Sequence, residues 1–179
     1  MTNMTLPKRK NHRLQGYDYA QCGCYFVTIC THNRKRLLCD IVGSDALVAP
    51  TPIGKKVIEC WNNIAALNSN VILDKFVLMP NHIHGILILQ NPDETPDNTK
   101  QYDFQLTERR GRRSLPGLIK DFKSVTTRHF KRMYGASTPL WQTSFYDTVI
   151  SSDRMYQDIW QYIDENPLKW QLDEYYKAP

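Results

Sequence analysis

Runs of apolar residues along the chain predict four β-strands. Residues 24–31 are rich in β-branched and aromatic side chains and predict the first strand. Residues 71–78 and 82–89 form two further runs of this kind, and the turn residues 80–81, a proline and an asparagine, lie between them. This pattern indicates two strands joined by a tight hairpin. A fourth extended segment is expected within residues 140–150.

Apolar residues that recur at spacings of three and four positions predict three amphipathic helices. Thr51 suits the N-cap of the first helix, because its hydroxyl can accept a hydrogen bond from a backbone N–H and a proline follows it. The second helix is expected to begin at Ser114 and to stop at Gly135. The third is expected over about residues 154–166, since Pro167 disfavours helical geometry in the residue before it.

The predicted order of elements is strand, helix, strand, strand, helix, strand, helix. The first six match a ferredoxin-like, RRM-like βαββαβ unit, an α+β sandwich with an antiparallel sheet, and the C-terminal helix is an addition. In this topology the first and third strands are central. The segment 82–89 would therefore lie in the middle of the sheet. The added helix can cover the face of the sheet to which His82 and His84 point.

Length and charge bound the possibilities further. The chain has 179 residues and a formal net charge of +5, with an isoelectric point of about 8.9. This length suits one domain and is too short for an eight-stranded α/β barrel of about 250 residues. The charge permits a polyanionic partner without requiring one. We expect a flexible basic segment at 1–21, one domain at 22–170 with a mobile linker at 90–113, and a short tail at 171–179.

Cysteine usage and hydropathy indicate a soluble cytoplasmic protein. Five cysteines without repeated Cys-x-x-Cys pairs fit neither a disulfide framework nor a zinc ribbon, so reduced thiols are expected. No run approaches the roughly 18 apolar residues of a membrane span, and no signal-peptide core follows the basic start. The cysteines are Cys22, Cys24, Cys30, Cys39 and Cys60.

His82 and His84 are the first candidates for chemistry. Successive side chains of a strand point to opposite faces, so these two imidazoles point the same way. Two imidazoles side by side on a rigid strand form half of a site for a divalent metal. The alternative is that one histidine caps the turn and the other is half-buried without a ligand.

Tyr162 and Asn166 lie one turn apart on the third predicted helix, at about 100° per residue. Their face overlaps the apolar stripe of Met155, Ile159 and Ile163, so both polar ends should point inward. A tyrosine hydroxyl can be a nucleophile that forms a covalent intermediate, and an amide oxygen can join imidazoles around a metal that polarises a phosphate. The alternative is a core tyrosine whose hydroxyl has found a partner.

Basic residues cluster just before the second helix and along its outer face. Such residues are suited to contacts with nucleic-acid phosphates, although a solvated surface or an unstructured linker would have the same composition. The candidates for DNA binding are Arg109, Arg110, Arg112, Arg113, Lys120 and Lys123.

Three ordered motifs resemble one known family. They are residues 78–84 (Leu-Met-Pro-Asn-His-Ile-His), 141–147 (Trp-Gln-Thr-Ser-Phe-Tyr-Asp) and 162–170 (Tyr-Ile-Asp-Glu-Asn-Pro-Leu-Lys-Trp). Together they resemble the HUH endonucleases with a single catalytic tyrosine, and within these the REP-associated tyrosine transposases of bacteria. The resemblance covers roughly residues 24–170.

The resemblance implies a metal-dependent endonuclease and strand transferase for single-stranded DNA, often with a REP-like hairpin nearby. His82 and His84 match the paired histidine ligands, Tyr162 matches the nucleophile, and Asn166 stands where the family places a further metal ligand. The metal would be Mg²⁺ or Mn²⁺. The reaction would give a 5′-phosphotyrosine and a free 3′-hydroxyl. Relatives include monomers and domain-swapped homodimers.

The residues alone do not exclude two other functions. One is an RRM-like nucleic-acid-binding module in which His82, His84 and Tyr162 only pack or stack. The other is a small metal-dependent phosphodiesterase in which water attacks the phosphate. Replacing Tyr162 with phenylalanine would separate the three functions.

Overall fold

A computed structural model describes residues 18–90 and 114–176. Within these ranges, no helix is both long and apolar enough to span a membrane. Two short 3₁₀ helices, His32–Arg34 and Trp170–Leu172, accompany the main elements. Those elements are β1 (Gly23–Cys30), β2 (Cys39–Val42), β3 (Leu47–Pro50), α1 (Pro52–Leu67), β4 (Val71–Met79), β5 (His82–Leu89), α2 (Leu115–Tyr134), β6 (Tyr146–Ile150) and α3 (Asp153–Glu165).

The main sheet has four antiparallel strands in the order β4-β5-β1-β6. The two central strands are therefore β1 and β5, which confirms the expected ferredoxin-like arrangement. Across this central pair Thr28 lies opposite His84, and Cys30 lies opposite His82. The two histidines consequently have a strand on each side.

Each face of the sheet is covered by helices. Ile83 and Leu87 of β5 belong to the core on one face, which α1 and α2 complete, whereas Ile86 and Ile88 belong to a second core with Ile163 of α3. Since side chains alternate along a strand, His82 and His84 lie on the α3 face.

The helix boundaries follow the local signals in the sequence. The hydroxyl of Thr51 accepts a hydrogen bond from the backbone of Gly54, and Ser114 caps α2 in the same way. Gly135 ends α2 at a φ of 60°, a left-handed conformation that favours glycine. Helix α3 begins and ends one residue earlier than predicted, so that Asn166 is its C-cap.

Two differences from the sequence predictions concern short strands. The hairpin of β2 and β3 was not predicted, because its strands have only four residues each and its turn depends on positive φ angles at Gly43 and Ala46. The extended segment within 140–150 forms a strand only from Tyr146 onward, while Trp141 makes an isolated bridge to Thr31.

Candidate active site

The two histidines of β5 face each other in the buried centre of the α3 face. His82 is 0% exposed and His84 is 1% exposed. Their Nε2 atoms are 3.0 Å apart. Two nitrogens that each lie about 2.1 Å from one cation and subtend a right angle are separated by about this distance. The pair can therefore act as adjacent ligands, as the His-x-His spacing predicts.

Neighbouring side chains fix both rings through their Nδ1 atoms. Asn81 Oδ1 lies 2.8 Å from His82 Nδ1, and Thr28 Oγ1 lies 2.8 Å from His84 Nδ1. The amide nitrogen of Asn81 already donates to the carbonyl oxygen of Tyr175 at 2.7 Å, so its oxygen faces His82. An amide oxygen can only accept, which places the proton of His82 on Nδ1 and leaves the lone pair on Nε2.

Burial keeps both imidazoles neutral. Loss of hydration lowers the pKa of His84 to about 3. Burial is the main cause that holds the pKa of His82 well below its usual value, and electrostatic coupling to His84 and to Arg34 lowers it further. Neutral imidazoles are the form that binds metal ions, so the pair requires no deprotonation at neutral pH.

Tyr162 lies at the open edge of this pair. Its hydroxyl oxygen is 3.3 Å from His84 Nε2, and its side chain is 41% exposed. The ring of Phe26 meets the Tyr162 ring edge-on and stacks on His84, which fixes the phenol between α3 and β1. Burial, then the charge of Asp173, raises the pKa of Tyr162 to about 12, against a smaller lowering by the neighbouring Asn166 side chain. The phenol is therefore protonated at neutral pH.

Asn166 lies one turn further along, buried next to Tyr162. Its side chain is only 3% exposed, and its Nδ2 donates to Asp173 Oδ2 at 3.1 Å. Its Oδ1 is buried and has no hydrogen-bond partner within the described residues. An orphaned buried carbonyl oxygen is costly unless something binds it. A divalent cation bound to this oxygen would satisfy it, and the role of Asn166 as a metal ligand stays a prediction.

Asp173 is a site residue that the sequence reasoning missed. A possible ligand atom is offered by each of His82, His84 and Asp173. These three atoms lie within 4.8 Å of one another, so the group could hold a metal ion. Asp173 follows the second 3₁₀ helix and belongs to no periodic element. Its neighbours Glu174 and Tyr175 offer no motif either, so only the folded chain places its carboxylate beside the histidines.

The two described residues among the predicted DNA-binding residues, Lys120 and Lys123, have different surroundings. Lys120 is exposed and lines a groove of about 620 Å³ along α2, together with Arg128 and Lys131. The ammonium of Lys123 donates instead to the carbonyl oxygens of residues 142–144, at 2.7, 2.8 and 3.3 Å. Those bonds hold the segment after α2 in place. Four further candidates, Arg109, Arg110, Arg112 and Arg113, lie outside the described residues.

Comparisons with known proteins identify a relative in sequence and a solved structure of similar fold. No family model matches the chain. An uncharacterized protein from Haemophilus influenzae is 30% identical over 176 residues, which is 97% of this chain and 96% of that protein.

A solved structure shares the fold of this chain. A REP-associated tyrosine transposase bound to a REP hairpin has a TM-score of 0.56 at 17% identity, covering 90% of this chain and 76% of that chain. A candidate transposase from Deinococcus radiodurans has a TM-score of 0.44 at 19% identity, covering 86% of this chain and 95% of that chain. The chain therefore belongs to the same family as the Haemophilus influenzae protein, and it shares its fold with a REP-associated tyrosine transposase.

Proposed function

We propose that this protein is a transposase-like enzyme that cleaves and joins single-stranded DNA, with Tyr162 as its nucleophile. One observation carries the proposal. The Tyr162 hydroxyl lies 3.3 Å from Nε2 of His84, which itself faces Nε2 of His82 at 3.0 Å. A partly exposed phenol at the edge of two buried neutral imidazoles is suited to nucleophilic attack on a phosphate ester.

The proposed cofactor is a divalent metal ion, Mg²⁺ or Mn²⁺. His82, His84 and Asn166 would hold it, through two imidazole nitrogens and the amide oxygen that is otherwise without a partner. When bound, the ion would polarise an oxygen of the scissile phosphate.

The proposed reaction exchanges one phosphate ester for another. A bond forms between the Tyr162 hydroxyl oxygen and phosphorus, and the bond from phosphorus to the 3′ oxygen breaks. The products are a 5′-phosphotyrosine and a free 3′-hydroxyl. Because its pKa is raised to about 12, the phenol is protonated before the reaction and loses its proton as it attacks. The departing 3′ oxygen takes up a proton. A 3′-hydroxyl from a second strand can reverse the step and join two ends.

The proposed substrate is single-stranded DNA near a hairpin. The transposase that shares this fold was solved bound to a REP hairpin. Lys120 in the α2 groove and the arginines of residues 109–113 are the proposed phosphate contacts. Lys123 would act there by holding residues 142–144, to which it is bonded. Such an enzyme would act in the cytoplasm.

The RRM-like alternative is disfavoured by burial. RRM recognition uses aromatic side chains exposed on the sheet, but Tyr25 is fully buried and Phe26 lies beneath α3. A water-dependent phosphodiesterase would use the same metal and differs only in the role of Tyr162.

A denaturing-gel assay tests the proposal. Purified protein is incubated with labelled single-stranded hairpin oligonucleotides and Mn²⁺ or Mg²⁺. We expect a covalent protein–DNA band that disappears with EDTA and with Tyr162→Phe. Tyr134→Phe is the matched control, because Tyr134 is an exposed tyrosine on α2, and it should leave the band unchanged.

Two other outcomes would contradict the proposal. Cleavage that persists in Tyr162→Phe without an adduct would identify a phosphodiesterase. Binding with neither cleavage nor adduct in the wild type would identify a binding module.

A further inference from the structure

The carboxylate of Asp173 lies beside the histidine pair, at the point where the chain turns back after α3. A ligand oxygen of Asp173 lies within 4.8 Å of the ligand nitrogens of both His82 and His84. We propose that Asp173 is itself a ligand of the metal centre, so that the segment after α3 completes the site. This assignment rests on the proposed function, since it requires a cation at the histidine pair.

Both oxygens of Asp173 are oriented by hydrogen bonds that leave them able to bind a cation. Oδ1 accepts from the backbone N–H of Tyr175 at 2.6 Å, and Oδ2 accepts from Nδ2 of Asn166 at 3.1 Å. A carboxylate offers about four lone-pair sites, so each oxygen keeps one free. The bond to Asn166 also turns the Nδ2 of that amide toward the carboxylate and leaves its Oδ1 available.

The segment that carries Asp173 is anchored to the rest of the site. Asn81 donates to the carbonyl oxygen of Tyr175, and Arg34 donates to that of Glu174 at 3.2 Å. The guanidinium of Arg34 also lies 4.7 Å from the centre of the Tyr175 ring, which in turn lies 4.8 Å from the ring of His82. The contacts of Glu174 and Tyr175 with Arg34, Asn81 and His82 therefore hold the segment of Asp173 in position.

The Asp173 carboxylate lies within reach of the charge of Arg34 but forms no ion pair with it. Among the residues that the structure describes, no lysine or arginine forms an ion pair with it, although the carboxylate is partly removed from water. A partly buried carboxylate is costly unless it is paired or binds a metal. Together the two neutral imidazoles, one carboxylate and one amide oxygen would be a donor set suited to Mn²⁺.

Titration calorimetry with Mn²⁺ alone tests the assignment. Asp173→Asn keeps an oxygen for the bond from Asn166 but removes the charge, and we expect its Mn²⁺ affinity to fall by at least about 10-fold, the lower limit even for residues that only support a metal ligand. Asp158→Asn is the control, because it removes an equal charge from an exposed position on α3. An affinity of Asp173→Asn within about threefold of wild type would overturn the proposal.

A double-mutant cycle separates a ligand from a residue that only positions Asn166. If Asp173 binds the cation, Asp173→Asn will lower the affinity further in an Asn166→Ala background. If Asp173 acts only by orienting Asn166, it will add nothing there, and the assignment as a ligand is wrong.

Thermal unfolding with and without Mn²⁺ controls for folding. We expect Mn²⁺ to raise the Tm of the wild type more than that of Asp173→Asn, because a ligand of the folded state stabilises it according to its affinity. Equal shifts would overturn the proposal. If the wild type forms the covalent adduct while Asp173→Asn binds Mn²⁺ normally, the proposed function stands and only the ligand assignment fails. If the wild type neither binds metal nor forms the adduct, both fail.

Discussion

At the scale of single residues, Asn81 connects the histidine pair with the segment after α3. Its amide oxygen faces Nδ1 of His82, and its amide nitrogen donates to Tyr175. The side chain is completely buried. One residue thus selects the tautomer of His82 and holds the segment that carries Asp173.

We expect Asn81→Ala to lower the Mn²⁺ affinity by about 10- to 100-fold, as is typical when the partner of a metal-binding histidine is removed. Calorimetry with Mn²⁺ measures the change. Asn62→Ala, at an exposed position on α1, is the control and should have wild-type affinity. Equal affinities for the two variants would mean that Asn81 does not support His82.

At the scale of elements, Gly85 sets the distance between β5 and α1. It follows His84 in β5, and a Cβ atom at this position would lie 2.3 Å from the ring of Trp61. Trp61 is itself buried in the core between α1 and the sheet, and the rings of Phe76 and Phe122 pack against it.

We expect Gly85→Ala to lower the free energy of unfolding by about 1–3 kcal/mol, the usual cost of overpacking a core. Urea denaturation measures it. The matched control is Gly117→Ala in the first turn of α2, where a Cβ would meet only Ser114 Oγ at an ordinary 3.5 Å. Alanine there should be neutral or stabilising by up to about 1 kcal/mol. Equal stability of the two variants would contradict the packing argument.

At the scale of the whole molecule, α3 is bound to the sheet of its own chain. Lys75 of β4 forms an ion pair with Asp164 at 2.5 Å and lies 3.5 Å from the centre of the Trp160 ring. The hydroxyl of Tyr156 also donates to the carboxylate of Asp74. These contacts bring the tyrosine helix to the histidines of the same chain.

We therefore expect each chain to form its own active site. A mixture of Tyr162→Phe and His84→Ala proteins should form no covalent DNA adduct, because each active site would lack one essential group. A dimer that exchanges α3 would restore up to one intact site per mixed pair, so adduct formation in the mixture would show shared sites. The wild type at the same total concentration is the positive control.

The groove along α2 that Lys120, Arg128 and Lys131 line should contribute to the salt dependence of DNA binding. Each phosphate contact on a single strand contributes about 0.7 to the slope of log affinity against log salt. Replacing both Lys120 and Lys131 with glutamine should therefore reduce the slope by about 1.4, as measured by fluorescence anisotropy. Lys55→Gln, on the exposed surface of α1, should leave it unchanged. An unaltered slope in the double variant would mean that the groove does not contact phosphates.

Local rules were sufficient to predict most elements and the central residues of the candidate site. The caps at Thr51 and Ser114, the stop at Gly135 and the alternation of His82 and His84 depend on near neighbours in sequence, so the sequence predicts them directly. The same holds for the inward stripe of α3. The predicted roles of His82, His84, Tyr162 and Asn166 in catalysis remain predictions.

Contacts between distant parts of the chain could not be read in this way. Asp173 meets histidines about ninety positions earlier only because the 3₁₀ turn after α3 folds back under Arg34 and Asn81. Lys123 has the composition of a phosphate contact, yet its hydrogen bonds go to backbone carbonyls. The sequence by itself determined the periodicity, the caps and the identity of the reactive side chains. Tertiary structure alone decided which of them meet, because a long-range contact depends on the path of the whole chain.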